Sequence, residues 1–340
     1  MAVLKSAPAV TVTGDDVLIL RDDSAPAALD GQLVIRSFNN VMLIDGSASR
    51  RLLLVGKLVG LNGKLYRSQI EIVPGENGLL AINELPLEDY LAGLINSEIS
   101  SAWPIEAVKA QAVIARTYAL NRRELRKNAP YHLESSVLDQ VYDGFGQEDA
   151  RARRAVDETA GQVLTYRGGL IQAFYHSNCG GRTEASENVW GTSIPYLKGV
   201  DCRYCLDTPA AAWEQRLSLK ELEERFKAAG HKVSGLSDLR GGAQSASGRF
   251  KNIILTIARG ELTLSGDQFR KAIGYGVIKS TNFTVRISDG DAVFSGVGNG
   301  HGVGLCQWGS KQRALDGFSY QEILSYYYPG TELTRPSTVR

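Results

Sequence analysis

Glu98 is the residue whose type and position in the sequence best suit chemistry. The stretch from Leu85 to Leu120 predicts two helices, and Glu98 is the carboxylate at their junction. Glu98 follows Leu91 by seven residues, so its side chain falls on the apolar stripe of the first helix. Partial burial there favours the protonated carboxyl group, which a general acid acting near neutral pH requires. The alternative is that Glu98 frays at a helix C-terminus, where the helix dipole disfavours a negative charge.

A second group of residues has the spacing of metal ligands. His176 and Cys179 form an H-x2-C element, and Cys202 and Cys205 form a C-x2-C element. Two such elements are typical of a closed tetrahedral zinc site, with ligands about 2.0 to 2.3 Å from the ion. The sequence therefore predicts a structural zinc ion on these four residues. One alternative is a disulfide from Cys179 to Cys202 or Cys205. Another is a zinc site in which Cys306 replaces His176. Cys306 could also be only a small buried hydrophobic residue.

The elements that must position these residues are helices in the middle of the chain, with β-strands around them. Pro86 and Pro104 each suit the first turn of a helix, and the first helix is expected to stop at Ser100-Ser101. Between about Val10 and Ile82, short Val, Ile and Leu runs alternate with Gly, Asp and Asn turns, which is typical of antiparallel strands. We therefore expect an α+β fold, in which a helical central core and flanking β-rich regions form a substrate cleft.

Composition excludes several classes of protein. The 340 residues carry 38 basic and 37 acidic side chains, for a net charge of +1, so nothing favours nucleic acid or an anionic membrane surface as a partner. No run approaches the roughly 20 apolar residues of a membrane span. The N-terminus lacks the apolar core of a secretory signal, which leaves a cytoplasmic chain or one whose signal has been removed. The glycine-rich GNGHGVG lacks the Lys-Ser/Thr pair of a phosphate-binding loop, so no nucleotide is expected.

Three segments resemble the SpoIID/LytB family of peptidoglycan-active proteins, which contains the sporulation protein SpoIID and the amidase enhancer LytB. They are LEDYLAGLINSEISSAWPIEAVKAQAVIARTYAL, then YHSNCGGRTEASENVWGTSIPYLKGV, then GHGVGLCQWGSKQRALDGFSYQEILSYYYPGTEL. The resemblance implies three regions: an N-terminal β-rich region at 1–82, a catalytic core made of 83–206 and 286–340, and an inserted α/β-rich subdomain at 207–285. The chain departs from the commoner family pattern by having Cys179 and Cys306 where serine is usual.

The resemblance implies lytic transglycosylase activity on peptidoglycan glycan strands, with Glu98 as the acid. One carboxyl group suffices for this reaction, in which N-acetylmuramic acid closes a 1,6-anhydro ring, whereas a hydrolase needs a second carboxylate about 5 to 10 Å away. Four acidic residues leave hydrolysis open, although each is explained more simply as a turn or capping residue: Glu184, Glu187, Asp139 and Asp143. The other function kept open is a non-catalytic glycan-binding module that stimulates an N-acetylmuramoyl-L-alanine amidase. Either function implies an extracytoplasmic location, in the periplasm or cell wall.

Glycan recognition needs flat apolar surfaces and hydrogen-bonding groups. Within the matched segments, the candidates for substrate contact are the aromatic residues Trp103, Tyr118, Tyr142, Trp190 and Trp308, together with Gln111, Arg116, Gln140, His301 and Gln307. The large aromatic residues have an alternative role in the core. Arg116 has an alternative role as a structural ion-pair partner, and His301 as a structural hydrogen-bonding residue.

Overall fold

Helices and strands of the chain together confirm the expected α+β class. The structure is a computed structural model that describes residues 1–22, 24–209 and 211–336, so residues 337–340 of the predicted core lie outside the described part. The chain divides into two units: the first contains residues 1–164, 170–172 and 334–340, and the second contains residues 165–169 and 173–333. The finer division into three regions stays a prediction.

Antiparallel strands build one large sheet in the first unit, as the alternating pattern predicted. Leu52 lies directly opposite Ile72, and Leu54 directly opposite Ile70, and all four residues are fully buried. Each such side chain contributes about 1.5–3 kcal/mol by leaving water. The strands, in spatial order, are Ala2–Ala7, Gly78–Glu84, Lys64–Gly75, Leu52–Leu61, Ala9–Thr13, Gln32–Phe38, Val41–Ile44 and Ser47–Ser49, with Leu18–Arg21 paired to Leu52–Leu61 and Ala27–Ala28 paired to Leu18–Arg21.

Three helices complete the first unit: α1 is Leu87–Glu98, α2 is Ile105–Leu125 and α3 is Ala150–Glu158. Pro86 and Pro104 directly precede α1 and α2, which confirms the predicted starts of the helix pair. Asp149 caps α3 by accepting the N–H groups of Arg151 and Ala152, and it also accepts hydrogen bonds from Asn96 and Ser101. One carboxylate thus fixes the turn between α1 and α2, directly after Glu98. A single 3-10 turn, Phe145–Gln147, lies between α2 and α3.

Small sheets and five helices form the second unit. One sheet contains Ala212–Ser218, Asp291–Val297 and Phe283–Ser288, and another contains Asp238–Gly241, Asn252–Ile257 and Gly260–Ser265. Two-residue pairs join Tyr175–His176 to Leu305–Cys306 in parallel, and Gly181–Arg182 to Asp201–Cys202 in antiparallel orientation. The helices are α4 Ser186–Trp190, α5 Leu219–Ala228, α6 Gly266–Ile273, α7 Gln307–Leu315 and α8 Tyr320–Tyr327, with a 3-10 turn at Arg203–Cys205.

The segment predicted as an inserted subdomain has its own apolar core in the second unit. Phe226, Phe269, Phe283 and Phe294 are buried at its centre, and their rings contact one another. The core continues past residue 285, because the strand Asp291–Val297 lies between Ala212–Ser218 and Phe283–Ser288 and buries Phe294.

Three short strands lie at or near the boundaries of the two units: Val163–Tyr166, Gly169–Leu170 and Glu332–Thr334. No helix in the described ranges combines the length and apolar surface that crossing a bilayer requires.

Candidate functional site

Glu98 is the last residue of α1, and its carboxylate accepts a backbone hydrogen bond. Leu91, Leu94 and Ile95 on the same helix are fully buried, whereas Glu98 itself is half-buried. The N–H group of Val141 donates to Oε1 of Glu98 at 3.0 Å. A backbone donor of this kind limits the rotation of the carboxyl group. The predicted placement of Glu98 at the end of a largely apolar helix is therefore found in the structure.

The donor to Glu98 belongs to a loop that is anchored by Asp139. Arg126 Nη1 donates to Asp139 Oδ2 at 2.6 Å, and the hydroxyl group of Tyr118 donates to Oδ1 at 2.9 Å. The N–H group of Glu134 also donates to Oδ2, which closes the loop on itself. The Asp139 side chain is only 3% exposed, so its charge is strongly coupled to these donors. Because Val141 follows two residues later, this anchor sets the position of its N–H group.

Two more residues of the loop pack against α1. Gln140 Oε1 accepts a hydrogen bond from the hydroxyl group of Tyr90 at 3.0 Å, and both residues are buried. The ring of Tyr142 lies 5.1 Å from that of Tyr90 and 6.1 Å from that of Tyr66. Burial, followed by the charge of Glu98, raises the pKa of Tyr90 well above its ordinary value, so Tyr90 is a neutral hydrogen-bond donor. The consecutive residues 140–142 therefore join the loop to α1, the helix that carries Glu98.

Four cysteine side chains converge in the second unit. The Sγ atoms of Cys179, Cys202, Cys205 and Cys306 lie within 4.8 Å of one another, and all four residues are buried. A tetrahedral zinc site with Zn–S distances of about 2.3 Å has S–S separations of about 3.8 Å, so the cluster has nearly the size of a four-thiolate site. All four are free thiols, and the 3.3 Å between Sγ of Cys179 and Sγ of Cys205 exceeds the ~2.05 Å of a disulfide bond.

Hydrogen-bonding groups contact the sulfur atoms of two residues of this cysteine cluster, Cys306 and Cys202. The N–H groups of Cys179 and Gly309 donate to Sγ of Cys306 at 3.3 and 3.4 Å, and Cys306 is the N-cap of α7. The hydroxyl group of Tyr327 lies 3.1 Å from Sγ of Cys202. N–H donors and a helix N-terminus both stabilise negative charge on sulfur. The donor set of the cluster therefore fits a metal ion bound by thiolates.

His176 lies outside the group of converging sulfur atoms, contrary to the predicted ligand set. Its Nδ1 is 3.2 Å from the carbonyl oxygen of Val303, and its Nε2 has no hydrogen-bond partner in the described ranges. Burial is the main cause that lowers the pKa of His176 well below its ordinary value. Parallel pairing of Tyr175–His176 with Leu305–Cys306 places Cys306 beside His176 and close to Cys179. Cys306, which the sequence left open as an alternative to His176, is therefore the fourth residue of the group of converging sulfur atoms.

An aromatic group in the second unit contains one partly exposed tryptophan. Trp190 is 39% exposed, and its ring lies 4.4 Å from that of Phe174 and 5.2 Å from that of His301. Nδ1 of His301 accepts the N–H group of Val303 at 3.0 Å. Desolvation, followed by the charges of two arginines, lowers the pKa of His301 to about 3, so His301 is neutral near pH 7. The group offers a neutral, largely apolar surface.

Comparison with known proteins gives matches to both halves of the chain. A family model described as Stage II sporulation protein (SpoIID) matches residues 75–166, and a model described as Domain of unknown function (DUF8618) matches residues 207–304. An uncharacterized protein of Brachyspira hyodysenteriae is 35% identical over 276 residues, which is 80% of this chain and 73% of that protein. Stage II sporulation protein D of Bacillus amyloliquefaciens is 28% identical over 291 residues, covering 81% of this chain and 82% of that protein. The chain belongs to the SpoIID/LytB family.

A third SpoIID/LytB relative carries a different name. The Amidase enhancer of Bacillus subtilis is 32% identical over 294 residues, which is 72% of this chain and 40% of that protein. This chain therefore spans less than half the length of that relative.

Several residues that the SpoIID/LytB resemblance assigned to substrate contact are buried in the first unit. Arg116 is fully buried, and its Nε and Nη2 donate to the two carboxylate oxygens of Glu88 at 2.9 and 2.6 Å. Its Nη1 donates to the carbonyl oxygen of Gln162. This geometry favours the structural alternative for Arg116, because buried charges need close partners. Tyr118, Gln140 and Tyr142 are also buried, and they anchor the loop that contacts Glu98.

The other SpoIID/LytB candidates differ in exposure. Gln111 is buried in α2, whereas Trp103 is half-buried just before α2 and its carbonyl oxygen accepts a hydrogen bond from Arg151. In the second unit, Gln307 is buried at the start of α7. Trp308 is half-buried, and the Lys311 ammonium group lies 4.6 Å from its ring centre. The half-buried tryptophans and Trp190 remain the candidates with accessible ring surface.

Sequence reasoning missed three residues of this SpoIID/LytB chain that support the two sites. Tyr90 was available from its spacing, since it lies eight residues, or just over two turns, before Glu98 on α1. Asp139 was considered only as a turn residue or second acid, and nothing in the sequence indicates its pairing with Arg126. Arg249, described below, follows a Gly/Ser-rich loop and carries no motif that would identify it.

Proposed function

We propose that this chain is a peptidoglycan lytic transglycosylase with Glu98 as its general acid and base. Family membership supports a role connected with the cell wall. The observation that carries the finer proposal is the setting of Glu98: a half-buried carboxylate at the end of α1, oriented by the N–H group of Val141, inside the segment that matches the family.

The proposed reaction needs one carboxyl group in two successive steps. Glu98 first gives its proton to the glycosidic oxygen while the bond from that oxygen to C1 of N-acetylmuramic acid breaks. The carboxylate then takes the proton of the C6 hydroxyl group, whose oxygen bonds to C1 and closes the 1,6-anhydro ring. The hydrogen bond from Val141 holds Oε1 between the two transfers, so Glu98 need not be repositioned.

The settings of the other acidic candidates support a non-hydrolytic route. Asp139 is paired with Arg126, Asp143 with Lys64, and Glu187 with Lys198. Both carboxylate oxygens of Glu184 accept hydrogen bonds, Oε1 from Asn188 and the Ala185 N–H group, and Oε2 from the hydroxyl groups of Ser245 and Ser247. A hydrolase would require one of these groups to activate water or attack the sugar.

Glycan binding is assigned to aromatic surfaces in each unit. In the first unit, Trp103 is half-buried near the turn that follows Glu98. In the second unit, Trp190 presents part of its ring beside His301, and Trp308 is half-buried. Indole rings suit the apolar faces of sugar rings because they bury area at little entropic cost.

A structural zinc ion at the cysteine cluster is part of the proposal. Cys179, Cys202, Cys205 and Cys306 would supply four thiolates, and the N–H donors to Cys306 fit charged sulfur. A closed site with four protein ligands stabilises a fold and does not activate water. The ion would join the loop at 202–205 to the strands that carry Cys179 and Cys306.

We further propose an extracytoplasmic location, because the proposed substrate is a cell-wall polymer, and an amidase as a functional partner. The second candidate function is stimulation of such an amidase without catalysis. The similarity to a relative named Amidase enhancer favours keeping this candidate. Under it, Glu98 would contribute to glycan binding or structure only.

One experiment separates the two functions. Purified wild-type protein and Glu98→Gln are incubated with glycan strands, with and without stem peptides, and the products are identified by mass spectrometry. An amidase assay on intact peptidoglycan runs in parallel. The transglycosylase proposal expects 1,6-anhydro ends from wild type and almost none from Glu98→Gln. No anhydro ends from wild type, together with equal amidase stimulation by both proteins, would establish the second function.

A further inference from the structure

Arg249 is a buried cation whose guanidinium group forms few hydrogen bonds with the protein. It is 2% exposed, and its Nη1 donates to the carbonyl oxygen of Arg182 at 3.4 Å. Nε and Nη2 have no hydrogen-bond partner among the residues that the structure describes. Burying a charged group without compensation is costly, so a nearby negative charge is expected.

Two glycines leave the space that the guanidinium group occupies. A Cβ atom at Gly302 would lie 2.6 Å from Cζ of Arg249, and one at Gly298 would lie 3.1 Å from Nη2. Both glycines have positive φ, at 86° and 82°, so larger residues are disfavoured there in any case. The Cβ position at Gly298 is also 3.2 Å from the carbonyl carbon of Cys179, which places the guanidinium group beside the backbone of the cysteine cluster.

The buried carboxylate of Glu184, whose charge acts on Arg249, does not accept a hydrogen bond from it among the described residues. Glu184 is buried, and its oxygens accept the four hydrogen bonds from Asn188, Ala185, Ser245 and Ser247. Burial lowers the pKa of Arg249, and the charges of Cys179, Glu184 and Cys306 oppose that shift. Four thiolates around one Zn²⁺ carry a net charge of −2, which is the kind of buried negative charge that a guanidinium group compensates.

We propose that Arg249 is the counter-charge of the cysteine cluster and raises its affinity for zinc. This inference rests on the zinc site proposed above. Arg249 lies in the segment that matches a domain of unknown function, residues 207–304. The four proposed ligands lie on both sides of Arg249 in the sequence. Through Arg249, the segment at 207–304 contributes to metal binding at four cysteines that all lie outside it.

Zinc affinity of the full chain tests this inference. Wild type, Arg249→Met and Arg249→Lys are titrated against a competing chelator of known affinity under reducing conditions. Outer-shell partners typically change metal affinity by about 10- to 100-fold, so Arg249→Met is expected to bind zinc more weakly by about that factor. Arg249→Lys keeps the charge and should recover most of the affinity. Arg249→Gln, which is polar and uncharged, replaces Arg249→Met if that variant does not fold.

The difference in Tm between zinc-loaded and chelated protein is a second measurement. A residue with only a structural role should not change this difference. If Arg249 strengthens zinc binding, it must stabilise the zinc-bound protein more than the metal-free protein. Arg249→Met should therefore lower the Tm of the zinc-loaded protein more than that of the chelated protein.

Arg270 provides the matched control. It is also buried, but its guanidinium group donates to the carbonyl oxygens of Ile278, Lys279 and Tyr275. Arg270→Met should lower both Tm values equally and leave zinc affinity near that of wild type. Wild type that binds zinc while Arg249→Met binds it equally well would overturn the inference alone. Wild type that binds no zinc would overturn the proposed metal site, and the inference with it.

Discussion

The Glu98 site and the cysteine cluster differ most in how far they are shielded from water. Glu98 is half-buried, and a backbone N–H group orients it without enclosing it. The four cysteines are each 0% exposed, and two N–H groups donate to the sulfur atom of Cys306. In the proposed function, Glu98 exchanges protons with a polymer and must remain accessible to it. The cysteines would hold an ion for stability, and they need no such access. Changes at Glu98 should therefore affect activity first, and changes in the cluster should affect stability first.

The largest effect is expected for Glu98→Gln. The amide cannot donate the proton of a carboxylic acid, so release of 1,6-anhydro ends should fall by about 10²- to 10⁴-fold. Oε1 can still accept the N–H group of Val141, and the free energy of unfolding should change by less than about 1 kcal/mol. Rate measurements and thermal unfolding check both values. Glu71→Gln, in an exposed ion pair with Arg51, is the control and should keep full activity.

Removal of one ligand of the proposed zinc site should affect stability first. Cys306→Ser should lose bound zinc and lower Tm by on the order of 10 °C, since 1 kcal/mol corresponds to about 2–4 °C for a domain of this size. His176→Gln should keep one zinc per chain. Metal analysis and calorimetry measure both variants, and chelation of wild type should reproduce the Tm of Cys306→Ser. Zinc lost from His176→Gln but kept by Cys306→Ser would restore the ligand set predicted from the sequence.

Asp139→Asn tests whether the loop that contacts Glu98 links stability to activity. The amide weakens the contacts with Arg126 and Tyr118, so the free energy of unfolding should fall by about 1–3 kcal/mol. Displacement of Val141 should also lower the turnover rate by about 10-fold. The matched control is Asp143→Asn, whose pair with Lys64 is exposed and should contribute less than about 1 kcal/mol. Equal turnover in both variants would argue against a positioning role for Asp139.

The smallest effect is expected for Trp190→Ala. Loss of its exposed ring should weaken glycan binding by about 10-fold, in the range of an aromatic contact worth about 0.5–1.5 kcal/mol, with little change in Tm. Calorimetric titration with soluble glycan fragments measures this effect. Leu315→Ala, at another exposed apolar residue of the second unit, should bind glycan normally. Normal binding by Trp190→Ala would confine glycan recognition to other surfaces.

Local pattern was sufficient to predict the helix pair and the end position of Glu98, because helical period and the two prolines act over a few residues. It was also sufficient for the antiparallel strands between about Val10 and Ile82. The role of Arg116 could not be decided, because its ion pair joins Glu88 on α1 to a buried position on α2, 28 residues later. The same holds for Tyr118, whose partner Asp139 lies on a separate loop.

Long-range pairing explains what the cysteine spacing did not reveal. The spacings predicted three of the four converging side chains, but Cys306 lies 127 residues from Cys179 and joins the group through the parallel pairing of Tyr175–His176 with Leu305–Cys306. Two residues of strand are too short for a sequence pattern to predict. Arg249 is a further example, since its surroundings are made by Gly298 and Gly302, about 50 residues later in the chain.

The measurement that tests the central claim most directly is the mass of the products formed from peptide-free glycan strands in water labelled with heavy oxygen. If Glu98 alone carries a non-hydrolytic cleavage, wild-type products should end in anhydro sugars that are one water lighter than reducing ends and contain no label. Glu98→Gln should form neither kind of end. Labelled reducing ends from wild type would show that water attacks the sugar, and they would contradict the account of Glu98 as a lone acid and base.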